Sequence, residues 1–463
     1  MRLTSQKILS KNKTYKVEIT GLTHEGQGVG KIDGFVVFVD NALIGEIVDV
    51  QITKQTKSYC VGHITKVQKP SEKRKEPFCP VYDKCGGCSI QHMSYEAQLE
   101  FKTDTVRQNL KRIGGLENVM VHDTIGMDSP FHYRNKVQYP VGSYGSDIKI
   151  GFYEKGSHNI IDSNVCDIQP QESNEIRDVV RDFFKARGIS IYDEKTGKGF
   201  LRHVMVRMGF KTNEIMVVLV VNGKKMPKSE ELVKLLCGKF ENIKSIIINV
   251  NTKNTNIILG EKNVCIYGQE YISDYIGKYK FNISPLSFFQ VNPIQTEVMY
   301  EKALEYAGLT GNETVFDLYC GIGTISLFLS EKAKKVIGVE IVPDAIEDAK
   351  KNAVLNQVTN TEFILGEVET VIPQLYKEGI RADVVVIDPP RKGCDEVLLN
   401  ALVDIKPQRI VYVSCNPSTL ARDLKYLCEH GFEVKEVQPV DMFSWTGHVE
   451  AVCLIERVES IDK

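Results

Sequence analysis

The stretch Val315-Phe-Asp-Leu-Tyr-Cys-Gly-Ile-Gly-Thr-Ile-Ser-Leu327 reads as a strand, a tight turn and the start of a helix. Gly321 and Gly323 allow the backbone of the turn to approach a ligand closely. Strand-like and helix-like runs alternate from about residue 290 onward, which predicts a mostly parallel, doubly wound α/β sheet. The next strand ends at Glu340, where a carboxylate can accept hydrogen bonds from both ribose hydroxyls of a nucleotide-type cofactor.

Three interpretations of this turn are open. A dinucleotide would favour glycine at the third position of the loop, where this chain has Ser326, and Asp317 would repel its pyrophosphate. Asp317 suits a cationic ligand instead, such as the sulfonium and amino groups of S-adenosylmethionine. The residues therefore favour S-adenosylmethionine over a dinucleotide or a purely structural turn.

Three reactive side chains lie at predicted strand ends. Asp388 begins Asp-Pro-Pro-Arg after the apolar strand DVVVI, and Cys415 follows the strand RIVYVS. Ligands bind at the carboxyl ends of strands in this architecture, and a partly exposed cysteine there can act as a nucleophile. Glu450 directly precedes the apolar strand 451–455. Taken singly, Cys415 is equally well explained as structural, and Glu450 is better explained as a surface residue.

Together, these groups fit methylation of a pyrimidine at carbon 5. That carbon is a poor nucleophile until a thiolate adds to carbon 6 and creates an enolate. The activated carbon 5 then attacks a methyl donor, a base removes its proton, and the cysteine is expelled. Methylation of an adenine amino group would need no cysteine. The combination of a methyl donor, Cys415 and Glu450 therefore predicts a covalent mechanism.

Upstream of this region, the charge composition and the pattern of predicted elements are different. Residues 1–75 hold 13 Lys and Arg against seven Asp and Glu, whereas the whole chain has a formal charge of −2. Short strand-like runs broken by glycines predict a small β-barrel at residues 7–68, of a kind that often binds single-stranded nucleic acid. The following residues, to about 285, mix strands with helices at 95–113 and 173–187, which predicts an α+β region.

A cysteine cluster lies between the barrel and the first predicted helix. Cys79, Cys85 and Cys88 fall within ten residues, and Cys166 in a polar loop is the candidate for a fourth ligand. Thiolates suit zinc or an iron–sulfur cluster, and the spacing alone does not choose between these two or exclude a metal-free cluster. The cysteine spacing of radical S-adenosylmethionine enzymes is absent.

The chain resembles the RNA (uracil-5-)-methyltransferase family. Three motifs carry the resemblance: Asp388-Pro-Pro-Arg, Ser414-Cys-Asn-Pro with Thr419-Leu-Ala-Arg-Asp-Leu, and Asp441-Met-Phe-Ser-Trp-Thr-Gly-His-Val-Glu450. The barrel, similar to a TRAM domain, and the cysteine cluster bring it nearest to the 23S ribosomal RNA branch. One departure stands out: Ser444 replaces the usual proline of the last motif, which puts the rigidity of that loop in question.

The resemblance implies a role for each matching position. Cys415 matches the nucleophile and Glu450 the proton acceptor. The positions that match donor contacts are Gln290, Tyr319, Glu340 and Asp388. The cysteines that match ligands of a 4Fe–4S cluster are Cys79, Cys85, Cys88 and Cys166.

The implied organisation has three parts. Residues 7–68 form an OB-like TRAM barrel, residues 69–285 an iron–sulfur and RNA-binding region, and residues 286–463 a Rossmann-like methyltransferase domain. The expected reaction is methyl transfer from S-adenosylmethionine to uridine carbon 5 in a single-stranded or loop region of 23S ribosomal RNA. Alternatives are the same reaction on tRNA, an RNA-binding iron–sulfur protein without catalysis, or a dinucleotide oxidoreductase, which Ser326 disfavours.

The sequence gives no indication of a membrane protein or of a secreted protein. The longest notable apolar stretch, residues 215–221, is far shorter than the roughly 20 residues of a membrane span. The first residues show no apolar signal-peptide core, so we expect a cytoplasmic protein whose 12 cysteines are reduced. No obligate protein partner is indicated.

Overall fold

The computed structural model describes residues 9–145 and 147–458. Residues 7–8 of the predicted barrel and 459–463 of the predicted methyltransferase domain lie outside the described residues. The fold has the three parts expected from the sequence: a closed barrel, an α+β region and a doubly wound sheet. Where one domain ends and the next begins stays a prediction.

The N-terminal barrel closes in the strand order β1-β2-β3-β5-β4. Two glycines permit this closure: a Cβ on Gly30 would lie 2.6 Å from the carbonyl oxygen of Glu18, and one on Gly62 would lie 2.7 Å from that of Gln51. Alternate residues along the strands face a core of Val, Ile and Leu side chains. The strands are β1 Thr14–Leu22, β2 Gly28–Ile32, β3 Phe35–Asp40, β4 Ile47–Gln55 and β5 Tyr59–Lys69.

The middle region opens with helix α1, Tyr95–Asn109, whose N-terminus is capped by Ser94. A single π-helical turn, Leu110–Gly114, continues it to Gly115, whose left-handed φ of 69° ends the helix. This agrees with the helix predicted at 95–113. Strand β6, Met120–Val121, then leaves the middle region and pairs with the edge of the C-terminal sheet.

The rest of the middle region contains a six-stranded sheet in the order β14-β13-β12-β11-β7-β8 and two separate two-stranded sheets, β9 with β10 and β15 with β16. Helix α3 was not predicted, because its short, partly charged sequence has a weak apolar stripe. The elements are β7 Lys136–Tyr144, β8 Asp147–Ile150, β9 Phe152–Tyr153, β10 Ile160–Ile161, α2 Gln171–Arg187, β11 Leu201–Met208, β12 Ile215–Val221, α3 Ser229–Lys239, β13 Ile243–Val250, β14 Lys262–Gly268, β15 Ile272–Ile276 and β16 Tyr279–Ile283.

The C-terminal region is an eight-stranded sheet in the order β19-β18-β17-β20-β21-β23-β22-β6. The first five strands are parallel, and β23 lies antiparallel between β21 and β22. The elements are α4 Pro293–Ala307, β17 Thr314–Leu318, α5 Thr324–Ser330, β18 Lys335–Glu340, α6 Pro343–Leu355, β19 Thr361–Leu365, α7 Val368–Lys377, β20 Val384–Ile387, α8 Glu396–Ile405, β21 Arg409–Ser414, α9 Pro417–Glu429, β22 Phe432–Val440 and β23 Glu450–Arg457.

This topology brings the carboxyl ends of β17, β18, β20 and β21 to one edge, together with the amino end of β23. We call this the catalytic edge. Within the described part of the chain, no helix combines the length and apolarity that crossing a bilayer requires.

Candidate active site

Cys415 and Glu450 occupy facing ends of neighbouring strands. Ser414, the last residue of β21, pairs with Ala451 of β23 in the antiparallel register. The next positions in that register are Cys415 and Glu450. Cys415 is partly exposed, whereas Glu450 is only 5% exposed. The structure therefore brings the predicted nucleophile and the predicted base to one point of the catalytic edge.

The surroundings of this pair disfavour negative charge. Burial raises the pKa of Glu450 to about 8, and the Asp388 carboxylate adds to the rise while Arg391 opposes it. Burial likewise raises the pKa of Cys415 to about 11, with Glu450 and Asp388 contributing. Both side chains are therefore mainly protonated at pH 7 in the unliganded protein. A cation bound beside them would favour their ionised forms.

The turn after β17 has the backbone shape that the glycines predict. Tyr319, Gly321 and Gly323 all have left-handed φ angles, of 64°, 54° and 79°. Glu340 at the end of β18 accepts hydrogen bonds from the backbone N–H of Gly321 at 3.1 Å and of Val342 at 3.0 Å. Its carboxylate is thus fixed beside the turn, and its contact with a ribose stays a prediction.

Two further carboxyl groups lie at the same edge. Asp317 is fully buried and accepts a hydrogen bond from Ser326, while its other oxygen has no partner among the described residues. Burial raises the pKa of Asp317 to about 7, with Asp388 and Glu340 adding to the rise. Burial also raises the pKa of Asp388 to about 7. Unpaired carboxyl groups in a buried site favour a cationic ligand.

The remaining residues predicted to contact the methyl donor, Gln290 and Tyr319, are both partly exposed. The Gln290 carbonyl oxygen accepts a hydrogen bond from the Asn135 amide at 2.8 Å, which ties this segment to the middle region. The Tyr319 hydroxyl donates to Glu369 of α7 at 2.7 Å. Gln290 stands two residues before Asn292, which caps α4, and α4 packs against β20, β21 and β23.

Tyr300 on α4 is a site neighbour that no sequence motif indicated. Its side chain is buried, and its hydroxyl lies 2.9 Å from that of Thr324 at the start of α5. Burial raises the pKa of Tyr300 above its usual value, and the negative charges of Asp388, Asp317 and Glu450 add to the rise. A buried aromatic residue in an ordinary helical pattern carries no sequence signal of such a position.

The loop between β22 and β23, residues 441–449, is held by buried polar contacts. Asp441 forms a fully buried ion pair with Lys102 of α1 and also accepts hydrogen bonds from Tyr95 at 2.7 Å and Ser444 at 2.6 Å. The Ser444 carbonyl oxygen accepts from the Tyr133 hydroxyl at 3.0 Å. Ser444 therefore restrains the loop through hydrogen bonds where the family usually has the rigid ring of proline.

The four predicted metal ligands line one small cavity. Cys79, Cys85, Cys88 and Cys166 surround it, and the backbone N–H of Gly87 donates to the Cys85 sulfur at 3.4 Å. Burial raises the pKa of Cys88 and of Cys166 to about 12, and neighbouring cysteines add to both shifts. Between residues 9 and 458, leaving aside Ser146, no three His, Cys, Asp or Glu side chains form a preformed metal site. The four soft sulfur atoms in the lining of this cavity nevertheless suit zinc or iron.

Aromatic and cationic residues occur together at His132–Lys136 and Leu201–His203 of the middle region, as in segments that contact RNA. Arg202 and His203 are buried, and Arg202 donates to the backbone oxygens of residues 251 and 253, which gives Arg202 a structural explanation. Lys136 pairs across the sheet with Arg207, and two guanidinium nitrogens of Arg207 lack partners among the described residues. Burial lowers the pKa of Lys136 to about 8, and Arg207 and Arg134 contribute.

Comparison with known proteins gives a consistent assignment. The family model described as tRNA (Uracil-5-)-methyltransferase matches residues 94–458, and the TRAM domain model matches residues 10–65. A Clostridium tetani protein described as an uncharacterized RNA methyltransferase is 54% identical over 96% of this chain and 97% of its own length. A Bacillus cereus protein with the same description is 53% identical over 97% and 98%.

A solved structure covers nearly the whole chain. The Pyrococcus abyssi tRNA (uracil-54, C5)-methyltransferase, in complex with S-adenosyl-L-homocysteine, superposes with a TM-score of 0.76 at 30% identity, over 95% of this chain and all of its own. The fold and the catalytic edge define the class as an RNA methyltransferase. The chain belongs to the tRNA (uracil-5-)-methyltransferase family and carries an N-terminal TRAM domain.

Proposed function

We propose that this protein transfers a methyl group from S-adenosylmethionine to carbon 5 of a uridine in 23S ribosomal RNA, through a covalent adduct with Cys415. The observation that carries the proposal is the register of β21 and β23, which sets Cys415 and Glu450 opposite each other at the catalytic edge. A thiol and a buried carboxyl group at that spacing supply the two functions that carbon 5 chemistry needs.

The proposed reaction has three steps: addition of the thiolate, methyl transfer, and proton removal with release of the thiolate. The Cys415 thiolate adds to carbon 6 of the uracil and generates an enolate. Carbon 5 of the enolate takes the methyl group and leaves S-adenosylhomocysteine. Glu450 then accepts the carbon 5 proton, and the electrons of that bond expel the Cys415 thiolate and restore the double bond between carbons 5 and 6.

The donor site supports the same reaction. Glu340 is oriented to accept hydrogen bonds from the ribose hydroxyls, while Asp317 and Asp388 offer negative charge to the sulfonium and amino groups. Gln290 and Tyr319 complete the proposed contacts at the rim of the site. When bound, the sulfonium would stabilise the ionised forms of Cys415 and Glu450.

Two features of the barrel support RNA binding: a contact with the loop 441–449 and a cleft beside α1. The barrel loop between β1 and β2 touches the loop 441–449: a Cβ on Gly447 would lie 2.6 Å from the carbonyl oxygen of His24. A cleft of about 780 Å³ separates the barrel from α1, and Lys73, Phe101 and Arg112 contribute to its lining. The lining also includes Glu100, which pairs with Lys73, and Asp104, so Arg112 and the ring of Phe101 are the groups of this cleft proposed to contact an RNA strand.

The choice of RNA rests on the resemblance to the ribosomal branch, and tRNA is the second candidate. The likeness to the Pyrococcus abyssi tRNA (uracil-54, C5)-methyltransferase favours that alternative. The distinguishing experiment maps carbon 5 methyluridines in ribosomal and transfer RNA from cells that lack the protein. Loss of a 23S site, restored by adding purified protein in vitro, supports the proposal, whereas loss only in tRNA assigns the alternative.

We further propose that Cys79, Cys85, Cys88 and Cys166 hold a 4Fe–4S cluster with a structural role. The support is that the four thiols line one cavity, in which Asp167 is the one charged residue among the other lining side chains. Cluster binding would draw the thiols into their ionised form, because a metal stabilises thiolate.

A further inference from the structure

The chain has a single tryptophan, Trp445, and it lies in the middle of the loop 441–449. Its side chain is 7% exposed, and its backbone has a left-handed φ of 67°. A bulky residue in that conformation is held there only when surrounding contacts compensate for the strain. Some of those contacts come from α1, where the Gln98 side-chain oxygen accepts a hydrogen bond from the Trp445 N–H at 3.0 Å, and others come from the segment that carries the cysteines.

The backbone after the cysteine cluster is bonded directly to this loop. The N–H groups of Ser89 and Ile90, which immediately follow Cys88, both donate to the Trp445 carbonyl oxygen, at 2.9 and 3.2 Å. The Ser89 hydroxyl oxygen accepts a hydrogen bond from the Gly447 N–H at 3.2 Å.

The residue before the cluster contacts the other side of Trp445. The ring of Phe78, which immediately precedes Cys79, packs edge-on against the indole with centroids 4.9 Å apart. Phe131 and Tyr95 pack at 5.2 and 5.8 Å, and the indole N–H donates to the Pro130 carbonyl oxygen at 2.7 Å. Residues that flank both ends of the segment 79–88 therefore contact Trp445, one through its indole ring and two through its backbone carbonyl oxygen.

The same loop determines where Glu450 stands. It joins β22 to β23, and its two ends meet in the pair Val440 and Glu450. Glu450 is the fifth residue after Trp445, with Val449 buried between them. Glu450 is the first residue of β23, so displacement of Trp445 would act on it directly through the chain. The same displacement would reach Cys415, just past the end of β21, only through the pairing of the two strands.

We propose that Trp445 is a positioning residue that couples the folded cysteine segment to Glu450 and so sets the rate of proton removal. This inference rests on the proposed function, in which Glu450 accepts the carbon 5 proton. In this proposal the cysteine segment holds the Glu450 carboxylate opposite the Cys415 thiol.

The first test compares Trp445→Ala with the conservative variant Trp445→Phe, each assayed for turnover and for covalent RNA adduct. We expect Trp445→Ala to lose on the order of 10²-fold in turnover while still forming adduct, so that methylated adduct accumulates, because displacement of a catalytic group by about 1 Å has that effect. Trp445→Phe should retain most turnover. Wild-type turnover in Trp445→Ala, or equal loss of adduct formation and turnover, would overturn the inference.

The second test uses the wild-type tryptophan as its own reporter, with no activity measurement. In Cys85→Ser, the emission of Trp445 should shift to longer wavelength and its quenching by acrylamide should rise, because the segment that shields the indole loosens. Cys237→Ser on α3 is the matched control and should leave both unchanged. Unaltered emission in Cys85→Ser would contradict the coupling even if Trp445→Ala fails to fold.

Failure of the inference and failure of the proposed function give different results. If the protein does not methylate uracil through Cys415, wild type itself forms no RNA adduct. If only the coupling is wrong, wild type forms the adduct and turns it over, while Trp445→Ala behaves like wild type.

Discussion

Cys415 and Glu450 lie in surroundings that favour their neutral forms, although the proposed chemistry needs a thiolate and a carboxylate. Burial is the main cause of both raised pKa values, and Asp388 adds to each. A sulfonium beside these groups would supply the missing positive charge. Reactivity would thereby depend on prior binding of the methyl donor, which protects the thiol until both substrates are present.

Donor binding should depend on pH because Asp317 and Asp388 both have pKa values of about 7 in the free protein. A cation binds best to the ionised carboxylates, so affinity for S-adenosylmethionine should rise as the pH increases through about 7 and level off above it. Calorimetric titration across this range measures the effect. S-adenosylhomocysteine, which lacks the sulfonium charge, is the control and should show a smaller change; equal pH profiles for the two ligands would count against this account.

Glu450→Gln should block the step after methylation. The amide cannot accept the carbon 5 proton, so turnover should fall by about 10²- to 10⁴-fold, and methylated RNA should remain attached to Cys415. Denaturing gels and mass spectrometry of the complex measure this. The exposed Glu433→Gln, on the neighbouring strand β22, should behave as wild type; normal turnover in Glu450→Gln would remove Glu450 from the mechanism.

Among the elements, the contact between the barrel and the loop 441–449 depends on a glycine. A Cβ on Gly447 would lie 2.6 Å from the carbonyl oxygen of His24 and 3.2 Å from the backbone of Glu25. Backbone cannot yield as a flexible side chain does. The barrel loop and the catalytic loop must therefore separate if Gly447 acquires a side chain.

Gly447→Ala should consequently weaken RNA-dependent turnover by about tenfold or more, since a displaced loop misplaces groups at the site. Binding of S-adenosylmethionine should change little, because its predicted contacts lie outside the loop 441–449, at the carboxyl ends of β17, β18 and β20 and just before α4. The matched control is Gly238→Ala in helix α3, where an added Cβ meets no atom within 4 Å. Unchanged turnover in Gly447→Ala would show that this contact has no part in catalysis.

The whole molecule combines groups that are far apart in sequence. The buried ion pair of Lys102 with Asp441 and the pairing of β6 with β22 both join the middle region to the catalytic sheet. The cysteine segment adds a third connection through Trp445. Removal of the proposed cluster should therefore affect the active site as well as the middle region.

The four cysteines that line one cavity are predicted to bind iron. Protein purified without oxygen should contain about four irons per chain and absorb visible light, as a 4Fe–4S cluster does. Cys166→Ser should lose most of that iron, and Cys428→Ser, a half-buried cysteine of α9, should keep it. A colourless protein with one zinc per chain would contradict the proposed cluster.

Local sequence pattern predicted the parts of this fold that depend on neighbours along the chain. The strand, turn and helix around Gly321 and the strand ends at Asp388 and Cys415 follow from runs of apolar residues and glycines. The insertion of β23 between β21 and β22 does not, because antiparallel pairing across the sheet leaves no local signal. For the same reason the positions of Tyr300, Lys102 and Trp445 at or near the site could not be predicted.

The most direct test of the central claim is to mix the protein with S-adenosylmethionine and substrate RNA that carries 5-fluorouridine at the target position. Fluorine cannot leave as a proton does, so wild-type protein should form a stable, methylated covalent complex on a denaturing gel, and Cys415→Ala should form none. A wild-type protein that methylates normal RNA but gives no complex, or a complex of equal yield with Cys415→Ala, would contradict the account.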